Sequence, residues 1–143
     1  MATATVPHRA PTWTVDAART ILRIVVGLMY MQHGVQKLFG LLLMPNMPPM
    51  HPAPFSQMWI AGVLETFGGA LIVLGLFTRP VAFLLCGEMA VAYFTVHAKR
   101  GFFPLLNLGE VAVLYCFIYL YFLAAGAGPY SLDGWWRRRR LDR

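Results

Sequence analysis

The chain has 143 residues, of which 58% are hydrophobic and only 13% charged, with a formal net charge of +6. Soluble domains are usually about 45–50% apolar and about 25% charged, so there are too few ionised groups here to coat a water-facing globule. The balance excludes an ordinary soluble enzyme and points to one domain embedded in a lipid bilayer.

The chain opens with "MATATVPHRAPTWTVDAARTI", which lacks an early apolar stretch, and no small-x-small cleavage site follows the first apolar run. The first span is therefore expected to stay as an anchor. Four apolar segments approach the roughly 20 residues needed to cross hydrocarbon. They cover 18–41, 57–77, 81–97 and 107–127, the third being short enough to borrow a turn from its flanks, and 128–143 reads as a basic tail. None alternates polar with apolar residues as barrel strands do. The expected fold is all-α, a four-transmembrane-helix bundle forming a single integral-membrane domain over 1–143.

Orientation follows from the basic residues. Four spans put both termini and the 78–80 link on one side, with Arg9, Arg19, Arg23, Arg79, Arg137, Arg138, Arg139, Arg140 and Arg143. The other side claims only Lys37, Lys99 and Arg100. Both termini are thus expected in the cytoplasm, in a cell inner (plasma) membrane. Trp135, Trp136 and the run "RRRR" read as an interfacial anchor on anionic lipid. Beside a membrane helix they do not argue for nucleic acid as a partner.

In the first span "LMYMQHGVQKLFG" sets Arg23, Gly27, Tyr30, His33, Gly34 and Lys37 on one stripe at 100° per residue. In the second, Gly62, Glu65, Thr66 and Gly69 share a face, the glycines permitting close helix approach or room for a ligand. Glu88 lies in the third span with His97 near its end, and Asn107 and Glu110 are three apart at the start of the fourth. Of six acidic residues, Glu65, Glu88 and Glu110 fall inside spans. An ionisable group at the bilayer centre costs about 2.5–3.5 kcal/mol on insertion scales, so such groups turn inward and find partners. Glu65 falls roughly 12 Å, and Glu88 roughly 13–14 Å, below the outer surface at the helical rise. The expected site is a polar pocket in the outer half, with His33, Lys37, Glu65, Glu88, His97, Asn107 and Glu110 as ligand-binding candidates. Glu65, Glu88 and His33 are the candidate proton relay. A buried network that only fixes helix register is the alternative.

Other signals are weaker. The outer loop "MPNMPPMHP" repeats Met44, Met47 and Met50 before His51, ligand types that suit Cu(I). In polyproline II the methionines would lie about 9 Å apart, too far to share one ion, so an apolar cover over the pocket is preferred and no metal site is assigned. A haem between His33 and His97 would need matched depth, and His97 reads as shallower. "ETFG", "EMAV" and "EVAV" lack the histidine of a di-iron motif, and no P-loop, G-x-S-x-G or G-x-G-x-x-G pattern is present. Cys86 and Cys116 lie in separate apolar segments without a C-x-x-C pair and read as small core hydrophobes.

The stretches "LRIVVGLMYMQHGVQKLFG", "GVLETFGGALIVLGLFTRP" and "HAKRGFFPLLNLGEVAVLYCFIYLYFLAAGAGPYSLDG" carry the motifs H-G-x-x-K, G-x-x-E, L-x-T-R, G-F-F-P and Y-S-L-D. In these, over residues 20–134, the chain resembles the DoxX family of bacterial inner-membrane proteins. The resemblance implies a four-helix membrane protein linked to thiosulfate:quinone oxidoreductase subunits and to oxidative-stress and thiol defence. Its matching positions are His33, Gly34, Lys37, Glu65, Thr78, Arg79, His97, Phe103, Pro104, Asn107 and Glu110. The Met/Pro loop and "WWRRRR" fall outside the pattern. The expected function is a membrane redox component, an oxidoreductase subunit if it is catalytic, whose pocket receives a quinone or a small sulfur compound. No cofactor is firmly implied, with quinone the candidate. A soluble or membrane redox partner would supply electrons, and a homo-oligomer is compatible with so few spans. A transport or binding module and a non-catalytic scaffold subunit are the competing readings.

Overall fold

The computed structural model describes residues 12–43, 45, 46 and 48–142. Arg9, Arg143 and two of the loop methionines considered for copper, Met44 and Met47, lie outside the described residues. The described chain is all-helical. Helix α1 (Thr12–Phe39) is followed by α2 (Gln57–Leu74), α3 (Thr78–Arg100), the single turn α4 (Pro104–Asn107), α5 (Glu110–Ala125) and α6 (Leu132–Leu141). By length and apolar composition α2 and α3 could each cross a membrane. Helix α5 is equally apolar but shorter, at 16 residues, and α1 is long, at 28 residues, with Arg19, Arg23 and Lys37 spaced along it.

The helix limits depart from the expected spans for local reasons. Helix α2 stops at Leu74 and not at 77 because Gly75 takes φ +65°, and Leu76 N–H donates back to the Leu71 carbonyl at 3.0 Å. That is a Schellman end, which favours glycine because a Cβ is strained at positive φ. Helix α3 begins at Thr78, three residues earlier than expected, because Asp133 of α6 accepts from the Phe77 and Thr78 N–H groups, each at 2.9 Å. It runs on to Arg100, so it borrows turns at both ends. The fourth expected span is broken at its start: Asn107 closes α4, Leu108 turns to φ +61°, and α5 begins at Glu110. Within the expected tail, Leu132–Leu141 is helical and begins with the Ser131 hydroxyl accepting from Gly134 N–H at 3.0 Å.

Two antiparallel pairs make up the body. Helices α1 and α2 pack through glycines spaced seven apart on each, Gly27 and Gly34 against Gly69 and Gly62. A Cβ on Gly34 would sit 2.4 Å from the Thr66 nitrogen and 2.7 Å from the Gly62 carbonyl, so backbone meets backbone there. Helices α3 and α5 are likewise in extensive contact. Tyr30, Ile72, Leu85, Tyr119 and Phe122 fill the space between the pairs and are fully buried. Phe83, Leu114 and Phe117 stay more than 60% exposed, which suits a surface facing acyl chains.

Candidate functional site

The site is assembled where the two pairs meet. Helix α2 is α-helical at both ends but passes through a π-helical turn at Leu64–Gly68. Glu65 lies in that turn and faces the interior, where it is only 3% exposed. Such π turns are recurrent at functional positions. Lys37, near the C-terminal end of α1, donates to Glu65 Oε1 in an ion pair. The second carboxylate oxygen, Glu65 Oε2, is buried and has no hydrogen-bond partner among the described residues.

Glu88 of α3 faces the same interior. Its Oε2 accepts from the Tyr30 hydroxyl at 3.0 Å, while its Oε1 is buried without a partner. The Tyr30 ring meets Tyr115 and Tyr119 of α5 edge-on, with centroids 4.9 and 5.0 Å away. The Tyr115 and Tyr119 hydroxyls are likewise buried and unpartnered. Leaving a buried polar group without a partner costs about 1–3 kcal/mol. Four such atoms around one junction therefore form a costly concentration of unmet polarity.

A groove of about 630 Å³ opens between α2 and α3. Its walls are mostly apolar, with Ile60, Leu64, Leu84, Met89, Val91 and Val96, and Lys37, Glu65, Glu88 and His97, with Ser56 and Gln57 at one end, supply its polar groups. Size and lining suit a lipophilic molecule with one polar end. His97 lies at the end of a second π turn, Tyr93–His97, with its Nδ1 3.2 Å from the Asn107 carbonyl oxygen.

Four of the seven residues singled out from the sequence, Lys37, Glu65, Glu88 and His97, thus line one groove. Asn107 does not line it. Its amide Nδ2 donates to the Gly101 carbonyl at 2.6 Å and its Oδ1 accepts from Gly109 N–H at 2.8 Å, so it closes the α3–α5 connection and supports His97 from behind. Glu110 is exposed at the first turn of α5, and His33 is exposed on α1 with its ring edge-on to Tyr115 at 6.1 Å. Neither lines the groove, so His33 and His97 do not share a space in which a haem would fit.

Sequence reasoning missed two features. Tyr115 and Tyr119 sit four apart, but in a helix apolar all round no face stands out. Arg23, placed by the sequence on the polar stripe of the first span with no partner assigned, is 2% exposed and donates to the carbonyls of Ile72 at 2.6 Å, of Val73 and of Tyr130 at 3.0 Å. It covers carbonyls that the end of α2 leaves open. Asp133 of Y-S-L-D and Thr78 of L-x-T-R are two sides of one cap, which gives both motifs a structural reason.

A model of the DoxX family matches residues 18–98, which include every polar residue of the groove. The chain belongs to the DoxX family. Among curated proteins, one of Haemophilus influenzae is 46% identical over 116 residues, covering 78% of this chain and 85% of that protein. A second protein of the same organism is 27% identical over 119 residues, covering 79% of each. Both carry the name "Uncharacterized protein". No solved structure matches.

Proposed function

We propose that this protein is a single-domain, four-span component of the inner membrane whose α2–α3 groove receives a quinone or a small lipophilic sulfur compound. In this reading α1, α2, α3 and α5 cross the bilayer, both termini and α6 are cytoplasmic, and the groove belongs to the periplasmic half. The asymmetry of the arginines supports that orientation. Trp135 beneath the Arg139 guanidinium, 4.0 Å from its ring centroid, suits α6 to a lipid headgroup layer.

The observation that carries the reading is the pairing of an apolar groove with two carboxylates that each keep one unpartnered buried oxygen. Reducing a quinone takes two electrons and two protons. Lys37 is suited to bind a carbonyl oxygen, and Glu65 and Glu88, the latter with Tyr30, to exchange protons with it. His33 adjoins this set through its edge-on contact with Tyr115 and lies one turn from Lys37 on α1. The electrons come from a soluble or membrane redox partner, and a homo-oligomer is compatible with the small bundle.

Titration of the purified protein with a short-chain benzoquinone tests this reading. Saturable binding is expected, weakened at least tenfold in E65Q and K37A with the helical circular dichroism retained. Binding of equal strength in the wild type and both variants defeats it.

A further inference from the structure

The two cysteines, distant in sequence and unremarkable there, are neighbours in the fold. Cys86 of α3 and Cys116 of α5 face each other with Sγ atoms 3.6 Å apart, and both side chains are half-buried. A disulfide needs an S–S distance of about 2.05 Å, so the sulfurs must close by about 1.5 Å. Side-chain rotation covers much of that distance, and α3 and α5, which carry them, are already in extensive contact. No group of three or more ligating side chains gathers among the described residues, so the chemistry open to this pair is that of two thiols.

We propose that Cys86 and Cys116 form a reversible dithiol–disulfide couple, oxidised by small membrane-permeable two-electron acceptors. The two S–H bonds break and one S–S bond forms. The acceptor, of the azo or quinone type, takes up both electrons and both protons. A dithiol reductant restores the two thiols and is itself oxidised to a disulfide. The couple is separate from the groove: Cys86 lies two residues from both Leu84 and Glu88, which line it, and so points to the opposite side of α3. Oxidation would therefore pin α3 to α5 from behind while α3 contributes its other face to the groove. This inference does not depend on what the groove binds.

The chain has only two cysteines, which makes the test a count. The full-length protein, reduced and held in detergent micelles, is treated with the azo oxidant diamide, denatured in acid, and labelled with a maleimide for mass measurement. The expected result is a fall from two adducts to none in a species that remains monomeric, a peptide pair joining Cys86 to Cys116 after proteolysis, and return of both adducts with dithiothreitol. C86A and C116A should form no intramolecular link. Persistence of two adducts, or loss of thiols only through covalent dimers, overturns the proposal.

Discussion

Two polar regions of this small bundle are built from similar residue types and end in different states. At the end where α2 turns into α3, Arg23 is shared among three carbonyls and Asp133 between two backbone N–H groups, so each charge is spent on the chain itself. Among the described residues, Arg23 Nε and Thr78 Oγ1 are left over there. At the junction of the two helix pairs, Lys37 satisfies one oxygen of Glu65 and Tyr30 one oxygen of Glu88, while the other oxygens and two tyrosine hydroxyls remain unmet. The first arrangement is closed and fixes architecture. The second is open beside a groove, which is what the proposed site requires.

The comparison can be broken at the closed end first, where the largest effects are expected. Arg23→Ala leaves the end of α2 without its cap and should cost about 2–4 kcal/mol, since hydrogen bonds to charged groups are the stronger ones. Thermal unfolding in detergent checks it, and a shift too small to resolve would mean the cap is decorative. Gly34→Ala, on the α1–α2 seam beside the open junction, forces a Cβ against the α2 backbone and should cost about 1–3 kcal/mol by overpacking. It is read in the same assay.

Effects at the open junction should be smaller on stability and sharper on binding. Lys37→Met alone strands a buried carboxylate, whereas Lys37→Met with Glu65→Gln does not. The double variant should be the more stable of the two by about 1–3 kcal/mol. Equal stability would show that the ion pair is effectively solvated. Smallest of all, Tyr115→Phe and Tyr119→Phe remove buried hydroxyls that have no partner, so each should stabilise the fold by about 1 kcal/mol, the low end of that penalty. A large loss from either would show that these hydroxyls are held after all.

Much of the open region was legible in the sequence, and for a clear reason. Glutamate and lysine inside apolar runs are expensive, so Lys37, Glu65 and Glu88 announce themselves without any structure. What the sequence did not reveal depends on tertiary register. The π turn that carries Glu65 has no residue signature in "LETFG". Asp133 reaches Phe77 and Thr78 across more than fifty residues. Cys86 and Cys116 meet only because α3 and α5 are in one particular alignment. Asn107 and Glu110 share a polar neighbourhood in the sequence, but a positive φ at Leu108 separates them into a buried turn and an exposed helix start.

A photoreactive azido-quinone, followed by peptide mapping, tests the open junction most directly. Adducts should concentrate on groove walls such as Ile60, Leu64, Val91 and Val96, be competed away by excess unlabelled quinone, and fall sharply in E65Q. Labelling spread over the outward-facing Phe83, Leu114 and Phe117, indifferent to competitor and to E65Q, would contradict the account.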